Sequence, residues 1–235
     1  MTDRSVSYMF WQGVRDSAPF ILVVAPFGLL FGVVATEAGF DLLQTMSMSF
    51  LVIAGASQFA ALSLMEENAP VLIVLATALA VNMRMAMYSA SMAPHIGKAP
   101  LWQRAVAAYF LVDQTYGVSI RRYDANGGLT VGQKMAFFFG AALAVCPLWY
   151  AMTMLGAVAG SAIPPEYALD FAVPITFIAL VAPYLGTLPH IAAAFVSIVA
   201  ALVLAWVPYN GGLLIAAGLA MVTGAGVEIW LEKRA

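Results

Sequence analysis

Residues 69–93 read APVLIVLATALAVNMRMAMYSASMA, and the only charged side chain among them is Arg84. The run is apolar all round a helix, and it exceeds the ~20 residues that span a hydrocarbon core. That is the pattern of a helix dissolved in lipid, not of one that buries a single stripe against a soluble core. Near its middle an unpaired guanidinium costs roughly 2.5 to 3.5 kcal/mol on insertion scales. Arg84 therefore has to face protein, water or an opposite charge. The segment 105–120 repeats the situation with the other sign, because its only charged residue is Asp113.

The rest of the chain fits the same solvent. Of 235 residues 63% are hydrophobic and only 9% charged, with a mean hydropathy of +0.91, which leaves too little polar surface for a soluble globule. The apolar residues come in long uniform runs and not in alternating ten-residue segments, which argues for helical spans and against a transmembrane β-barrel. The fold class is an all-α integral membrane protein in which 1–235 form one polytopic permease domain surrounded by the lipid bilayer. About eight transmembrane helices (seven or eight) are expected, over roughly 18–36, 46–65, 69–93, 105–120, 135–159, 169–185, 191–207 and 211–227. The first run is too long for a signal-peptide core, carries Pro19 and Pro26 and has no convincing cleavage site, so it reads as a retained span.

Orientation comes from Lys and Arg. A cytoplasmic N-terminus puts Arg4, Arg15, Arg121, Arg122, Lys134, Lys233 and Arg234 inside and leaves only Lys98 and Arg104 outside, with both termini cytoplasmic. Tyr8, Trp11, Trp102, Trp206, Tyr209 and Trp230 fall near span ends, as interfacial aromatics do. The second span admits a helix break at Gly55, Ala56, Ser57 and Gln58, where small and polar residues cluster. Were it re-entrant, every later loop would change side and Arg121, Arg122 and Lys134 would move outside, so it is kept as a full span. Short connections near Thr187 and Pro208 make the last helices antiparallel neighbours. Pro26, Pro147, Pro174 and Pro183 read as kinks, and no internal repeat is visible.

The candidate site follows from depth. Arg84 and Asp113 each lie about nine residues from the same predicted loop, so two neighbouring antiparallel helices bring them level, ~14 Å deep. Two readings stand side by side: the pair neutralises itself, or a zwitterion places its carboxylate on Arg84 and its ammonium on Asp113. Asp113 as a proton-coupling group is a further option, since burial raises a carboxylate pKa while a nearby Arg lowers it. At helical spacing Tyr88 and Ser91 share the face of Arg84, Asn82 points elsewhere, and Tyr116 shares the face of Asp113. Ser57 and Gln58 offer hydroxyl and amide groups at the suspected break, with close packing as the equal alternative. The substrate-binding candidates are thus Arg84, Asp113, Ser57, Gln58, Asn82, Tyr88 and Tyr116.

Other chemistry finds little footing. Cys146 is the only cysteine, which rules out an internal disulfide, and it reads as packing. His95 and His190, near span ends on opposite sides, make neither a metal site nor a catalytic dyad. Ser57 has no evident base, and Glu37, Asp41, Glu66 and Glu67 read as solvated loop residues. No cofactor, metal or catalytic residue is expected, and a net charge of −2 with dispersed cations gives no footprint for nucleic acid. A membrane enzyme acting on lipid or isoprenoid would need clustered carboxylates, histidines or a metal. A non-transporting structural subunit, with Arg84 and Asp113 as helix glue, is the other alternative.

Three motifs in order carry a resemblance: Ala54-Gly55-Ala56-Ser57-Gln58-Phe59, then Val81-Asn82-Met83-Arg84 with Tyr88, Ser91 and Pro94, then Leu111-Val112-Asp113-Gln114-Thr115-Tyr116. They resemble the successive signature segments of the AzlC family, and the stretch 177–183 and the apolar C-terminal third are similar too. The resemblance implies the large permease subunit of a two-component exporter of branched-chain amino acids, and methionine is a further candidate substrate. It also implies a separately encoded small AzlD-type membrane subunit as partner and a bacterial cytoplasmic (inner) membrane. Met85 stands where the family pattern has His, and Gln114 where it has Glu. Both departures bear on substrate range and coupling, and Arg84 and Asp113 keep their places.

Overall fold

The computed structural model describes residues 5–160, 185–208 and 211–233. All regular structure among them is helical: α1 (Val6–Ser17), a 3-10 turn (Ala18–Phe20), α2 (Ile21–Glu37), α3 (Leu42–Leu51), α4 (Gly55–Glu66), α5 (Val71–Ile96), α6 (Leu101–Tyr109), α7 (Asp113–Ala125), α8 (Val131–Gly160), α9 (Leu188–Val203) and α10 (Gly211–Glu232). Among the described residues four helices are long and apolar enough to cross a membrane: α1 and α2 taken together, α5, α8 and α10. Segment 169–184, with Pro174 and Pro183, lies outside the described residues, as do Arg4, Tyr209 and Arg234. The chain divides into two compact units, Met1–Leu62 with Ala78–Leu169, and Ser63–Thr77 with Asp170–Ala235.

The first unit is built on α1–α2 lying against α8. Their direction is fixed by glycines that let backbones touch. Gly13 meets the backbone of Phe137 and Ala141, and further along Gly32 meets Thr153 and Ala157. Residue numbers rise together, so the two long helices are parallel, and small residues at the contact allow the dispersion-driven close approach that holds helices together in lipid. Pro19 falls in the 3-10 turn between α1 and α2, where its fixed φ and missing N–H are tolerated. Phe27, Phe31, Phe59 and Trp149 interlock beside this seam at centroid separations of 5.1 to 6.2 Å.

Between these helices the chain makes two hairpins, and here the structure departs from the expected spans. Segment 46–65 is interrupted, with residues 52–54 non-helical between α3 and α4. Segment 105–120 is interrupted as well, at residues 110–112. Contacts show that each interruption is a reversal. Along α5 and α7 the pairs are Arg84 with Asp113, Tyr88 with Tyr116, Ser91 with Tyr116 and His95 with Tyr123. These numbers rise together, so α7 runs parallel to α5 and finishes where α5 finishes. Helix α6 begins five residues after α5 ends and must therefore descend from that same end. The pair α6–α7 is re-entrant.

The pair α3–α4 mirrors it from the opposite end. Thr36, in the last turn of α2, donates to the carbonyl of Ala157 near the end of α8. From there α3 runs back until Ser49 reaches Thr153 and Trp149 near the middle of α8. Gly55 then packs on Phe27 and Trp149, and α4 returns antiparallel to α5, with Ser57 bonded to the carbonyl of Ala78. The break thus precedes residues 55–58, which open α4, instead of occupying them. Two re-entrant segments cancel in parity, so Arg121, Arg122 and Lys134 keep their side. Only Lys98 and Arg104 change, and they join the end of the unit that holds those three. Glu37 and Asp41 lie at the other end.

The second unit contains the expected antiparallel pair. Gly212 at the start of α10 meets Leu204 at the end of α9, and Gly224 meets Ala193 near its start. Trp206 and Trp230 are exposed there, and Tyr8, Trp11 and Trp102 are exposed in the first unit. Cys146 is buried.

Candidate functional site

Both hairpins end short helices partway along the bundle, at a depth where bulk water is not there to satisfy freed backbone groups and polar side chains. At the α6–α7 break the local solution is Thr115. Its hydroxyl accepts from the Val112 N–H at 2.9 Å and faces the carbonyls of Phe110 and Val112 at the same distance. This leaves Asp113 as the first residue of α7, where the positive end of the helix dipole stabilises a carboxylate.

Arg84, near the middle of α5, meets that carboxylate. Its Nη1 donates to Asp113 Oδ2 at 2.8 Å, with the two side chains 30% and 39% exposed. The expected level placement of the two charges is thus present, although the helices carrying them run parallel and not antiparallel. The contact is monodentate. Arg84 Nε and Asp113 Oδ1 are buried with no partner among the described residues, so one donor and one acceptor remain open on either side of a joined ion pair. Tyr88 lies close to the Asp113 carboxylate, and its ring stacks on Tyr116 at 4.1 Å and 11°. The Tyr116 hydroxyl donates to Ser91 Oγ at 3.1 Å.

Ser57, Gln58 and Asn82 form a different cluster. Asn82 is two residues, or about 200° of helical turn, from Arg84. Its Nδ2 donates to Ser57 Oγ at 3.1 Å, while Ser57 gives its own proton to the carbonyl of Ala78 at 3.2 Å. Gln58 is fully buried and donates through Nε2 to Ser49 Oγ at 3.2 Å. Ser49 also accepts from the Trp149 indole at 3.3 Å and donates to Thr153 at 3.5 Å. These bonds tie the α3–α4 tip to α5 on one side and α8 on the other. Sequence reasoning gathered seven residues into one site, and the structure sorts them into four around the ion pair and three at this tip.

The sequence does not single out Ser49, Trp149 and Thr153, which complete this cluster. The signal was polar groups within apolar helices, and nothing in the sequence ranked these above the others. His95 is less isolated than expected, since its ring nitrogens face Lys134 Nζ at 3.1 Å and Asp124 at 3.7 Å. That contact locks the ends of α5, α7 and α8 together. Asp41 is a helix cap, with its carboxylate accepting from Gln44 N at 2.7 Å and Gln44 answering at 2.9 Å.

Comparison with known proteins gives the family of the chain. Residues 19–163 match the family model described as AzlC protein, a range that contains both hairpins and both polar clusters. An uncharacterized membrane protein of Archaeoglobus fulgidus is 30% identical over 189 residues, covering 79% of this chain and 80% of its own length. The inner membrane protein YgaZ of Escherichia coli is 28% identical over 182 residues, covering 73% and 71%. No solved structure matches.

Proposed function

The chain belongs to the AzlC family of membrane proteins, and on that premise we propose that it is a permease exporting amino acids across a bacterial cytoplasmic membrane. The observation that carries the reading is the Arg84–Asp113 pair with its open Nε and Oδ1, placed at a helix start where two re-entrant hairpins meet. Interrupted helices near the midplane are how transporters present polar groups to a substrate without exposing backbone to lipid. A zwitterion complements the vacancy. Its carboxylate takes the Nε edge of Arg84 and its ammonium takes Oδ1 of Asp113, so the ion pair stays joined beneath it and neither charge is stranded. The stacked rings of Tyr88 and Tyr116 flank the headgroup, and an aliphatic side chain finds apolar surroundings.

Branched-chain amino acids (valine, leucine, isoleucine) and methionine are the substrates this assigns, with a small AzlD-type membrane subunit as partner. Ser57, Gln58 and Asn82 hold the α3–α4 tip. No enzymatic step is part of the proposal. The sidedness we assign puts the end of the unit with Lys98, Arg104, Arg121, Arg122 and Lys134 in the cytoplasm and that with Glu37 and Asp41 outside. Segments 46–65 and 105–120 are then re-entrant hairpins, α1–α2, α5 and α8 are crossings, and both termini are assigned to the cytoplasm.

The test is efflux of labelled valine, leucine, isoleucine and methionine from cells with and without the partner. Arg84→Ala and Asp113→Asn should abolish export while membrane levels of the protein persist. Normal valine efflux by either variant would overturn the site assignment. Loss of the protein itself from the membrane would make the pair structural glue.

A further inference from the structure

A second guanidinium in the first unit is left open in a more specific way than Arg84. Arg122 lies in the last turn of α7, and the two atoms that are buried and unpartnered are Nε and Nη2. These two N–H groups form one edge of the guanidinium, the edge that grips both oxygens of a carboxylate or phosphate side by side. Phe137, fully buried, lies under the group with its ring centroid 5.8 Å from Cζ. That contact satisfies the face of the guanidinium and does nothing for the in-plane donors. The nearest acid along α7, Asp124, is turned to His95, and among the described residues no carboxylate pairs with Arg122. One turn earlier Ser119 is fully buried beside Tyr123, and among the described residues its hydroxyl makes no hydrogen bond within bonding distance.

A desolvated, unpaired guanidinium fork is unfavourable enough that an oxyanion should fill it. The place narrows the choice. Nine residues separate Arg122 from Asp113, two and a half helical turns, so the two side chains leave α7 on opposite faces about 13 Å apart along its axis. Arg122 is therefore not a second handle on the Arg84–Asp113 site. It stands at the end of α7 and the beginning of α8, beside Arg121 and Lys134, where cations collect at the level of lipid headgroups. We propose that Arg122, with Ser119, binds a phosphate oxyanion, carried by a phospholipid headgroup or free in solution.

Thermal unfolding of the delipidated full chain in neutral detergent tests this without reference to transport. Added probes are phosphatidylglycerol, a phosphate-free glycolipid with the same acyl chains, and inorganic phosphate. The wild type should gain several degrees in Tm from phosphatidylglycerol and not from the glycolipid. Arg122→Gln should lose that gain, Arg122→Lys should keep part of it, and Arg121→Gln should keep it all. A gain from inorganic phosphate as well, lost in Arg122→Gln, identifies free phosphate as a sufficient ligand. An equal response in wild type and Arg122→Gln, or no response to either phosphate source, would overturn the proposal. If Arg122→Gln does not fold, the comparison of Arg122→Lys with Arg121→Gln decides it.

Discussion

The Tyr109 hydroxyl donates to the carbonyl oxygen of Phe50 at 2.6 Å and lies 2.8 Å from the Tyr150 hydroxyl. Tyr109 ends α6 and Phe50 is the penultimate residue of α3, so one side chain joins the tips of two hairpins that enter the unit from opposite ends. Any motion that opens the bundle to one side has to break this bond or carry both tips together.

Tyr109→Phe keeps the ring and removes only that tie. A neutral hydrogen bond is worth about 1 kcal/mol net, so the fold should survive with a small fall in Tm. Export should change by more than stability does, because the two tips are released from one another. Efflux measured at matched membrane abundance checks this, and unchanged kinetics would remove Tyr109 from the transport cycle.

Tyr88→Phe deletes a hydroxyl close to the Asp113 carboxylate and leaves the ring free to stack on Tyr116. Hydrogen bonds to charged groups are stronger than neutral ones, but this carboxylate is partly exposed, so a loss of about threefold to tenfold in apparent affinity is expected. The maximal rate should move less. An effect on rate alone would place Tyr88 outside the substrate contact.

The re-entrant hairpins predict which loops share a side. Cys146 is buried and is the only native cysteine, so the background to cysteine labelling is low. A membrane-impermeant maleimide should label Lys98→Cys and Arg121→Cys from the same side and Asp41→Cys from the other. Two uninterrupted crossings would instead put Lys98 with Asp41, and that labelling pattern would eliminate the hairpins.

Gly32→Leu should be among the most damaging single changes at the long-helix seam. A Cβ at this position runs into the backbone of Thr153 and Ala157, and backbone cannot rotate aside as a side chain can. Overpacking typically costs 1 to 3 kcal/mol, occasionally more, and here the upper end is expected. Gly39→Ala is no control, because its φ of +85° strains any side chain; Gly218→Ala, which meets nothing within 4 Å, is. The ratio of folded protein for the two variants in detergent reads out the difference.

Composition alone determined the solvent, the helical class and the approximate positions of the long helices, because these depend on the transfer of side chains between water and lipid, a property each segment carries by itself. It also singled out Arg84 and Asp113, since a charge at membrane depth is costly whatever surrounds it. Direction was not available from that source. Segment 105–120 carries a single charge, and its sequence does not distinguish a helix that continues from one that turns back at residues 110–112. Thr115 satisfies the freed backbone locally, but the turn back also needs α5 and α8 as flanks for α7, and those are contacts between separate helices. Tertiary structure likewise decided that Arg84 and Asp113 meet through parallel helices. It also placed Asn82, Ser57 and Gln58 at a separate tip and left Arg122 with an unfilled fork. Each of these depends on which face of a helix meets which neighbour, a relation the local sequence does not encode.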